Sequence, residues 1–87
     1  MKVIFSEEAE KQITKLDKPI QKRIFDYMTD VANLSNPRDR GKMLVGNLFG
    51  YWRYRVGDYR VLCKIQDQEL VVYVVEVGHR RAVYDNK

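Results

Sequence analysis

Residues 51–65 have the sequence YWRYRVGDYRVLCKI, and this stretch predicts a β-hairpin. On both sides of Gly57-Asp58 the side chains alternate with a period of two, which is typical of strands with two different faces. Gly57 supplies the backbone freedom that a short turn between antiparallel strands requires. Strands are therefore expected at residues 51–56 and 59–65. The face expected to lie toward the rest of the protein carries Trp52, Tyr54, Val61 and Cys63.

The segments outside the hairpin predict two helices and two more strands. Residues 2–5 predict a short strand, and Ser6 predicts an N-cap followed by glutamates in the first helical turn. Pro19 ends this helix and starts the next, because proline suits the first helical position and disfavours helix just before itself. The second helix is expected to end near Asn33. Residues 70–77 are almost wholly apolar, which predicts a strand in the interior of the sheet.

The predicted element order is β-α-α-β-β-β. This order indicates the α+β class, with a helical hairpin packed on a small twisted, mainly antiparallel sheet. A chain of 87 residues is long enough for one modest core, so residues 1–87 are predicted to form a single domain. Residues 36–41 predict a loop, whereas the conformation of residues 42–50 stays ambiguous because glycines interrupt their apolar positions.

The composition excludes several classes of protein. An apolar content of 45% and a charged content of 32% are ordinary for a globular chain and unlike those of a disordered one. The single cysteine, Cys63, excludes an internal disulfide and a cysteine-cluster metal site, and its apolar strand predicts a buried structural role. No apolar run approaches the roughly 18 residues that span a bilayer, and the N-terminal residues turn acidic too early for a signal peptide. We therefore expect a cytoplasmic protein without a membrane partner.

The net charge of +4 is concentrated in the second part of the chain. Residues 1–37 carry six basic and six acidic side chains, whereas residues 38–87 carry ten basic and six acidic ones. A local basic excess is the expected footprint of a polyanionic partner, although many basic proteins bind none. The arginines also alternate with aromatic residues. Because guanidinium groups pair with phosphates and aromatic rings stack on bases, this combination favours RNA.

Arg53, Arg55 and Arg60 are predicted to converge on the sheet face that the helices leave uncovered. The strand period puts the first two on one side, and the hairpin brings the third beside them. The alternative interpretation is an ordinary solvated face whose arginines serve solubility and cross-strand pairing. We expect no acidic residue on the same face, and like charges repel one another unless an anion binds between them. The pattern therefore favours a phosphate-binding site.

A second group of candidate residues follows the last predicted strand, where ligand-binding residues often collect. His79 is the only histidine, and histidine is the residue type that most often transfers protons near neutral pH. A surface histidine without a catalytic role is the alternative. Arg80 and Arg81 point in different directions, so at most one is expected to reach the site. Tyr84 either packs its ring on the sheet edge or stacks on a base.

Residues 44–61 and 77–84 together resemble the RelE/ParE superfamily of bacterial toxins, and the resemblance covers essentially the whole chain. It implies the fold predicted above. In RelE-like members it also implies a ribonuclease that cuts messenger RNA in the ribosomal A site. The positions that match the RelE catalytic motif, where the family often has lysine in the first two places, are Arg53, Arg55, Arg60, Arg80 and Tyr84.

The resemblance implies a reaction that needs neither metal nor cofactor, in which the 2′-hydroxyl of a ribose attacks the adjacent phosphate. Arginine is a poor general base because it does not lose its proton in proteins. His79 is therefore expected to take part in proton transfer and to protonate the 5′-oxygen leaving group, while the arginines stabilise the transition state by charge. Further residues expected to bind RNA are Lys42, Tyr51, Lys64 and Arg81.

The resemblance also implies partners. They are the ribosome with its messenger RNA and a RelB-like antitoxin encoded by the adjacent gene. ParE-like members of the superfamily instead poison DNA gyrase and lack the ribonuclease residues. A gyrase-inhibiting toxin and a non-catalytic RNA-binding module therefore remain the two alternatives to a ribosome-dependent endoribonuclease.

Overall fold

The computed structural model describes residues 1–79, in which two helices pack on a mixed five-stranded sheet. The sheet order is β1-β5-β4-β3-β2, and β1 is parallel to β5 while the other neighbours are antiparallel. This architecture confirms the predicted α+β class. The elements are β1 (Lys2–Phe5), α1 (Glu7–Thr14), α2 (Lys18–Ala32), β2 (Lys42–Met43), β3 (Trp52–Val56), β4 (Tyr59–Gln66) and β5 (Val71–His79), with 3-10 turns at Pro37–Asp39 and Gly46–Leu48.

Helix α1 begins as the sequence predicts. The Ser6 hydroxyl oxygen accepts a hydrogen bond from the Ala9 N–H (3.0 Å), which satisfies a donor that the first helical turn leaves open. The same hydroxyl donates to the Val75 carbonyl (3.1 Å), so the cap also ties the helix to β5. In α2, Asp17 is the N-cap and Pro19 lies in the first turn, as predicted from the break before it.

The hydrophobic core lies between the helical hairpin and one face of the sheet. Ala9 and Ile13 of α1 and Ile24, Met28 and Val31 of α2 are buried on the helix side. The sheet contributes Tyr54, Val56, Val61, Cys63, Val72, Val74 and Val77. The predicted inward face of the hairpin is therefore confirmed. Burial raises the pKa of the Cys63 thiol, which fits the predicted structural role and not that of a nucleophile.

Residues 36–41 form a strap that crosses the end of β3 and leads into β2. The buried Tyr54 hydroxyl donates to the Pro37 carbonyl (2.7 Å), and the Trp52 indole N–H donates to the Arg40 carbonyl (2.7 Å). Gly41 has a φ of +82°, a conformation that L side chains rarely adopt. These contacts fix where β2 begins. Strand β2 lies in the segment that stayed ambiguous in the sequence, since two residues are too few to show a period.

Strand β5 contains a β-bulge. Cys63 pairs with Val74, but its neighbour Leu62 pairs with Glu76, so Val75 is an extra residue in β5. The extra residue reverses the alternation, and Glu76 therefore faces away from the helices while Val77 enters the core. The bulge therefore adds an acidic residue, Glu76, to the sheet face opposite the helices.

Neither helix within residues 1–79 has the length and apolar character that crossing a membrane requires.

Candidate functional site

The face of the sheet opposite the helices carries a group of cations, which we call the basic face. Its members come from three neighbouring strands and are Lys42, Arg53, Arg55, Arg60 and Lys64. In the ladder, Lys42 is paired with Arg53, and Arg55 with Arg60. The register therefore places Arg53, Arg55 and Arg60 on one face, as predicted from the alternation. Their chemical role remains a prediction.

Arg55 and Arg60 lie directly opposite one another across β3 and β4. Side chains in such positions have Cβ atoms only about 5 Å apart, and like charges there destabilise the sheet. The pairing thus places two guanidinium groups side by side on neighbouring strands. It concentrates positive potential on a small area, which is what attracts and orients a polyanion.

Burial differs sharply across the basic face. Arg60 is only 8% exposed and its neighbour Leu62 is also buried, whereas Arg55 and Lys64 are exposed. The expectation of an uncovered face was therefore wrong for its centre. An arginine keeps its charge when it is buried, and a charge in a region of lower dielectric acts more strongly on a nearby group. Arg60 is accordingly suited to stabilising charge at a fixed point, and Arg55 to first contact with a ligand.

One end of the basic face is aromatic. The Lys64 ammonium nitrogen lies 5.2 Å from the centroid of the Tyr51 ring, and Tyr73 is the ladder partner of Lys64 on β5. Both tyrosines are half-buried. A ring with a cation beside it presents a flat surface for stacking and a charge for a phosphate, so the end occupied by Tyr51 and Lys64 fits their predicted part in RNA binding.

Glu76 also lies on this side of the sheet, opposite Leu62. We expected no acidic residue there, and that expectation was wrong. Strict alternation counted from Tyr73 assigns Glu76 to the core side, and only the bulge at Val75 turns it to the side of the arginines. A bulge leaves little trace in a sequence, so alternation alone could not have found this carboxylate.

The structure does not bring His79 to the basic face. His79 pairs with Tyr59, which packs against the core, and the two rings meet edge to face with centroids 5.7 Å apart. Gly78 is the residue of β5 that lies opposite Arg60. The side chain of His79 thus leaves the strand on the helix side, and the expected proton transfer beside the arginines is not supported.

Arg80, Arg81 and Tyr84 lie outside the described residues, so their predicted roles stay predictions. Within residues 1–79, no group of three or more His, Cys, Asp or Glu side chains is placed to hold a metal ion.

A groove of about 410 Å³ lies between α2 and the end of β3 with the turn that follows it. Its lining combines Arg23 and Arg55 with Asp26 and Asp30, so both signs of charge are present. A mixed lining suits a polyanion less well than the basic face does. Arg55 contributes to both surfaces.

Comparison with known proteins decides the family. Residues 3–84 match the sequence model of a family described as ParE toxin of the type II toxin–antitoxin system, parDE. The chain belongs to this toxin family. It is thereby a toxin of a type II toxin–antitoxin system and a member of the RelE/ParE superfamily. No curated protein sequence matches the toxin.

Solved structures extend the comparison. The toxin is 30% identical to a chain of the toxin–antitoxin complex RelBE2 from Mycobacterium tuberculosis, with a TM-score of 0.82 over 91% of this chain and 90% of that one. It also shares the fold of a chain in the E. coli RelBE complex (19% identity, TM-score 0.71, covering 90% and 94%). A third match is a YoeB/ParE toxin from Agrobacterium tumefaciens (16% identity, TM-score 0.71, covering 91% and 98%). The RelBE2 chain supports the family, and all three structures show the same fold.

Proposed function

We propose that the toxin is a RelE-type endoribonuclease that cleaves messenger RNA on the ribosome and thereby arrests translation in the cytoplasm. The observation that carries this proposal is the basic face, where arginines from β3 and β4 lie in adjacent register positions. The similarity to a RelBE2 complex chain at 30% identity supports it, because that match covers nearly all of both chains.

The proposed cleavage of RNA depends mainly on cations that stabilise negative charge on the phosphate. When a ribose 2′-oxygen attacks the adjacent phosphate, negative charge builds up on the non-bridging oxygens. Preorganised donors aimed at that charge are usually the largest single contribution to catalysis. Arg53 and Arg60 supply such donors from neighbouring strands, while Arg55 and Lys64 hold the flanking phosphates. The expected products are a 2′,3′-cyclic phosphate and a 5′-hydroxyl end.

Brief expression followed by primer-extension mapping of transcripts tests this function. We expect new 5′ ends at defined positions within codons, only in translated regions, and we expect protein synthesis to stop before DNA replication. Blocking translation initiation on a reporter transcript should remove the cuts from that transcript. Intact transcripts during growth arrest would contradict the proposal.

A gyrase-inhibiting toxin is the second candidate, and the match to a family model named for ParE favours it. In that case DNA replication stops first and no new transcript ends appear. Relaxed plasmid DNA and purified gyrase then provide the direct assay, since inhibition of supercoiling would be seen without ribosomes.

We infer that an antitoxin neutralises the toxin by docking on the connection between β2 and β3. This connection and the adjoining end of β2 expose large apolar side chains: Val45 is 78% exposed and Phe49 is 73% exposed in the connection, and Met43 of β2 is half exposed. Single exposed apolar residues are common on protein surfaces, but several within one short segment indicate an interaction site.

The charges near the β2–β3 connection indicate which kind of antitoxin segment would bind there. Between Arg40 and Gly57 the sequence contains no acidic residue, and Lys42 and Arg53 adjoin the apolar segment through the β2–β3 ladder. An acidic, amphipathic segment would cover the apolar side chains and at the same time block the basic face. The solved RelBE complexes that resemble this chain support a partner of the antitoxin kind.

Replacing Val45 and Phe49 together with aspartate is expected to weaken antitoxin binding by roughly 100-fold or more, because central apolar anchors dominate such interfaces. Both side chains are exposed, so folding and growth arrest should persist. Titration calorimetry with the purified product of the adjacent gene measures the loss. Leu70→Asp is the matched control, since Leu70 is 62% exposed at the turn before β5, and equal loss in this control would contradict the assignment.

A further inference from the structure

The bulge in β5 gives Glu76 a position that the sequence pattern does not predict. Glu76 pairs with Leu62, whose partner on the next strand is Arg53. Arg60 is two residues from Leu62 on β4 and is therefore the diagonal neighbour of Glu76. Diagonal neighbours have Cα atoms roughly 7–8 Å apart, which long side chains bridge easily. A bulge next to a functional site commonly serves to redirect one side chain.

The proposed reaction needs a group that accepts the proton of the attacking 2′-hydroxyl. Arginines do not lose their protons in proteins, and His79 leaves its strand on the helix side. Within residues 1–79, the titratable or charged residues at nearby register positions on this side of the sheet are Arg53 of β3, Arg60 and Lys64 of β4, and Tyr73 of β5. Among these described groups and Glu76 itself, the carboxylate is the natural proton acceptor at neutral pH.

Glu76 is also available for this role. Glu76 takes no part in the salt bridges Lys22–Asp26 and Arg38–Asp67, which lie elsewhere in residues 1–79. A carboxylate among cations is unfavourable for binding a polyanion, because it repels the phosphates that the arginines attract. A purely binding surface would therefore gain by replacing it. Its placement, obtained only by breaking the regular ladder, fits a chemical role better than a binding role.

We propose that Glu76 is the general base of the reaction, an inference that rests on the endoribonuclease function proposed above. Its carboxylate takes the proton of the ribose 2′-hydroxyl. The 2′-oxygen then forms a bond to the adjacent phosphorus, and the bond between phosphorus and the 5′-oxygen breaks. The departing 5′-oxygen takes a proton from water, and the carboxylic acid returns its proton to solvent. Arg53 and Arg60 stabilise the charge on the phosphate as it forms.

Glu76→Gln keeps the shape of the side chain and removes its ability to accept a proton. Cleavage of messenger RNA on purified ribosomes should fall by roughly 100- to 10,000-fold, the usual contribution of a general base. Binding of a non-cleavable RNA that carries a 2′-deoxy nucleotide should stay equal or become tighter, because one negative charge is lost. A merely structural role would weaken RNA binding together with cleavage, so cleavage lost without loss of binding distinguishes the two.

Glu69→Gln is the matched control, since it removes the same charge from an exposed turn between β4 and β5. This variant should cleave like the wild type. Circular dichroism and thermal unfolding establish that both variants are folded.

The possible outcomes separate this inference from the proposed function. A wild-type protein that cleaves, together with a Glu76→Gln variant that cleaves equally well, overturns the assignment of the base and leaves the nuclease intact. A wild-type protein that does not cleave on ribosomes overturns both. If Glu76→Gln does not fold, Glu76→Asp decides, because this variant keeps the carboxylate on a shorter side chain. It should bind the non-cleavable RNA like the wild type and cleave more slowly, and an unchanged cleavage rate overturns the proposal.

Discussion

Replacing Arg53 and Arg55 together with alanine is expected to reduce cleavage of messenger RNA on ribosomes at least 1,000-fold. Removing one donor from a charge-stabilising site commonly costs about 100- to 1,000-fold in rate, and here one such donor and one phosphate contact are lost together. Binding of single-stranded RNA should also become less dependent on salt. The logarithmic slope should fall by roughly 1.4, because both arginines are expected to contact phosphates, Arg53 the scissile one and Arg55 a flanking one. Single-turnover cleavage and RNA titrations at several salt concentrations measure these effects.

The choice of Arg53 and Arg55 follows from burial. Arg55 is exposed and Arg53 is half-buried, so their truncation leaves the core intact, whereas Arg60 is nearly buried and its removal would also disturb packing. Lys11→Ala with Lys15→Ala removes the same charge from the surface at α1, far from the basic face, and should leave the cleavage rate within a few-fold of wild type. A double arginine variant that retains more than a tenth of the activity would show that the basic face is not the catalytic surface.

The largest effect on stability is expected from Gly41→Ala. A Cβ atom at Gly41 would lie 2.5 Å from the Trp52 indole nitrogen and 2.6 Å from the Arg53 carbonyl oxygen, and φ at this position is +82°. The strap would have to leave the sheet edge, which breaks the hydrogen bond from Trp52 to Arg40. We expect a loss of about 3 kcal/mol or more, from backbone strain of roughly 1–2 kcal/mol together with the clash and the lost bond.

In a domain of this size, a loss of about 3 kcal/mol lowers Tm by roughly 12–24 °C, which calorimetry resolves easily. Gly46→Ala is the matched control. Its φ is +71°, but nothing lies within 4 Å of the added Cβ, so only the backbone strain of roughly 1–2 kcal/mol remains. Similar shifts in the two variants would mean that the strap does not hold β2 against the sheet.

Much of the fold could be predicted because its signals are local. Ser6 before a run of glutamates predicted the N-cap, and the alternation from Trp52 to Ile65 predicted which residues of the hairpin enter the core. Each of these inferences depends on a few neighbouring residues and on the geometry of one helix turn or one strand.

The candidate site was predicted less completely because its arrangement depends on contacts between strands. Alternation in the sequence predicted the sheet face on which Arg53, Arg55 and Arg60 lie, but it could not show that Arg60 is buried. The bulge at Val75 changed the faces of the residues after it, which is why Glu76 was missed. The alternation along one strand does not reveal that one of its residues, here Val75, has no partner on the neighbouring strand.

The strap also forms the surroundings of the residue that dominates the intrinsic fluorescence of the protein. Trp52 is the only tryptophan, and its indole N–H is hydrogen-bonded to the Arg40 carbonyl where the strap crosses the sheet edge. The guanidinium carbon of Arg38 lies 6.0 Å from the centroid of the same ring. Intrinsic fluorescence of this protein therefore monitors the junction beside Lys42 and Arg53, and RNA or a partner that moves this junction can be followed without an attached dye.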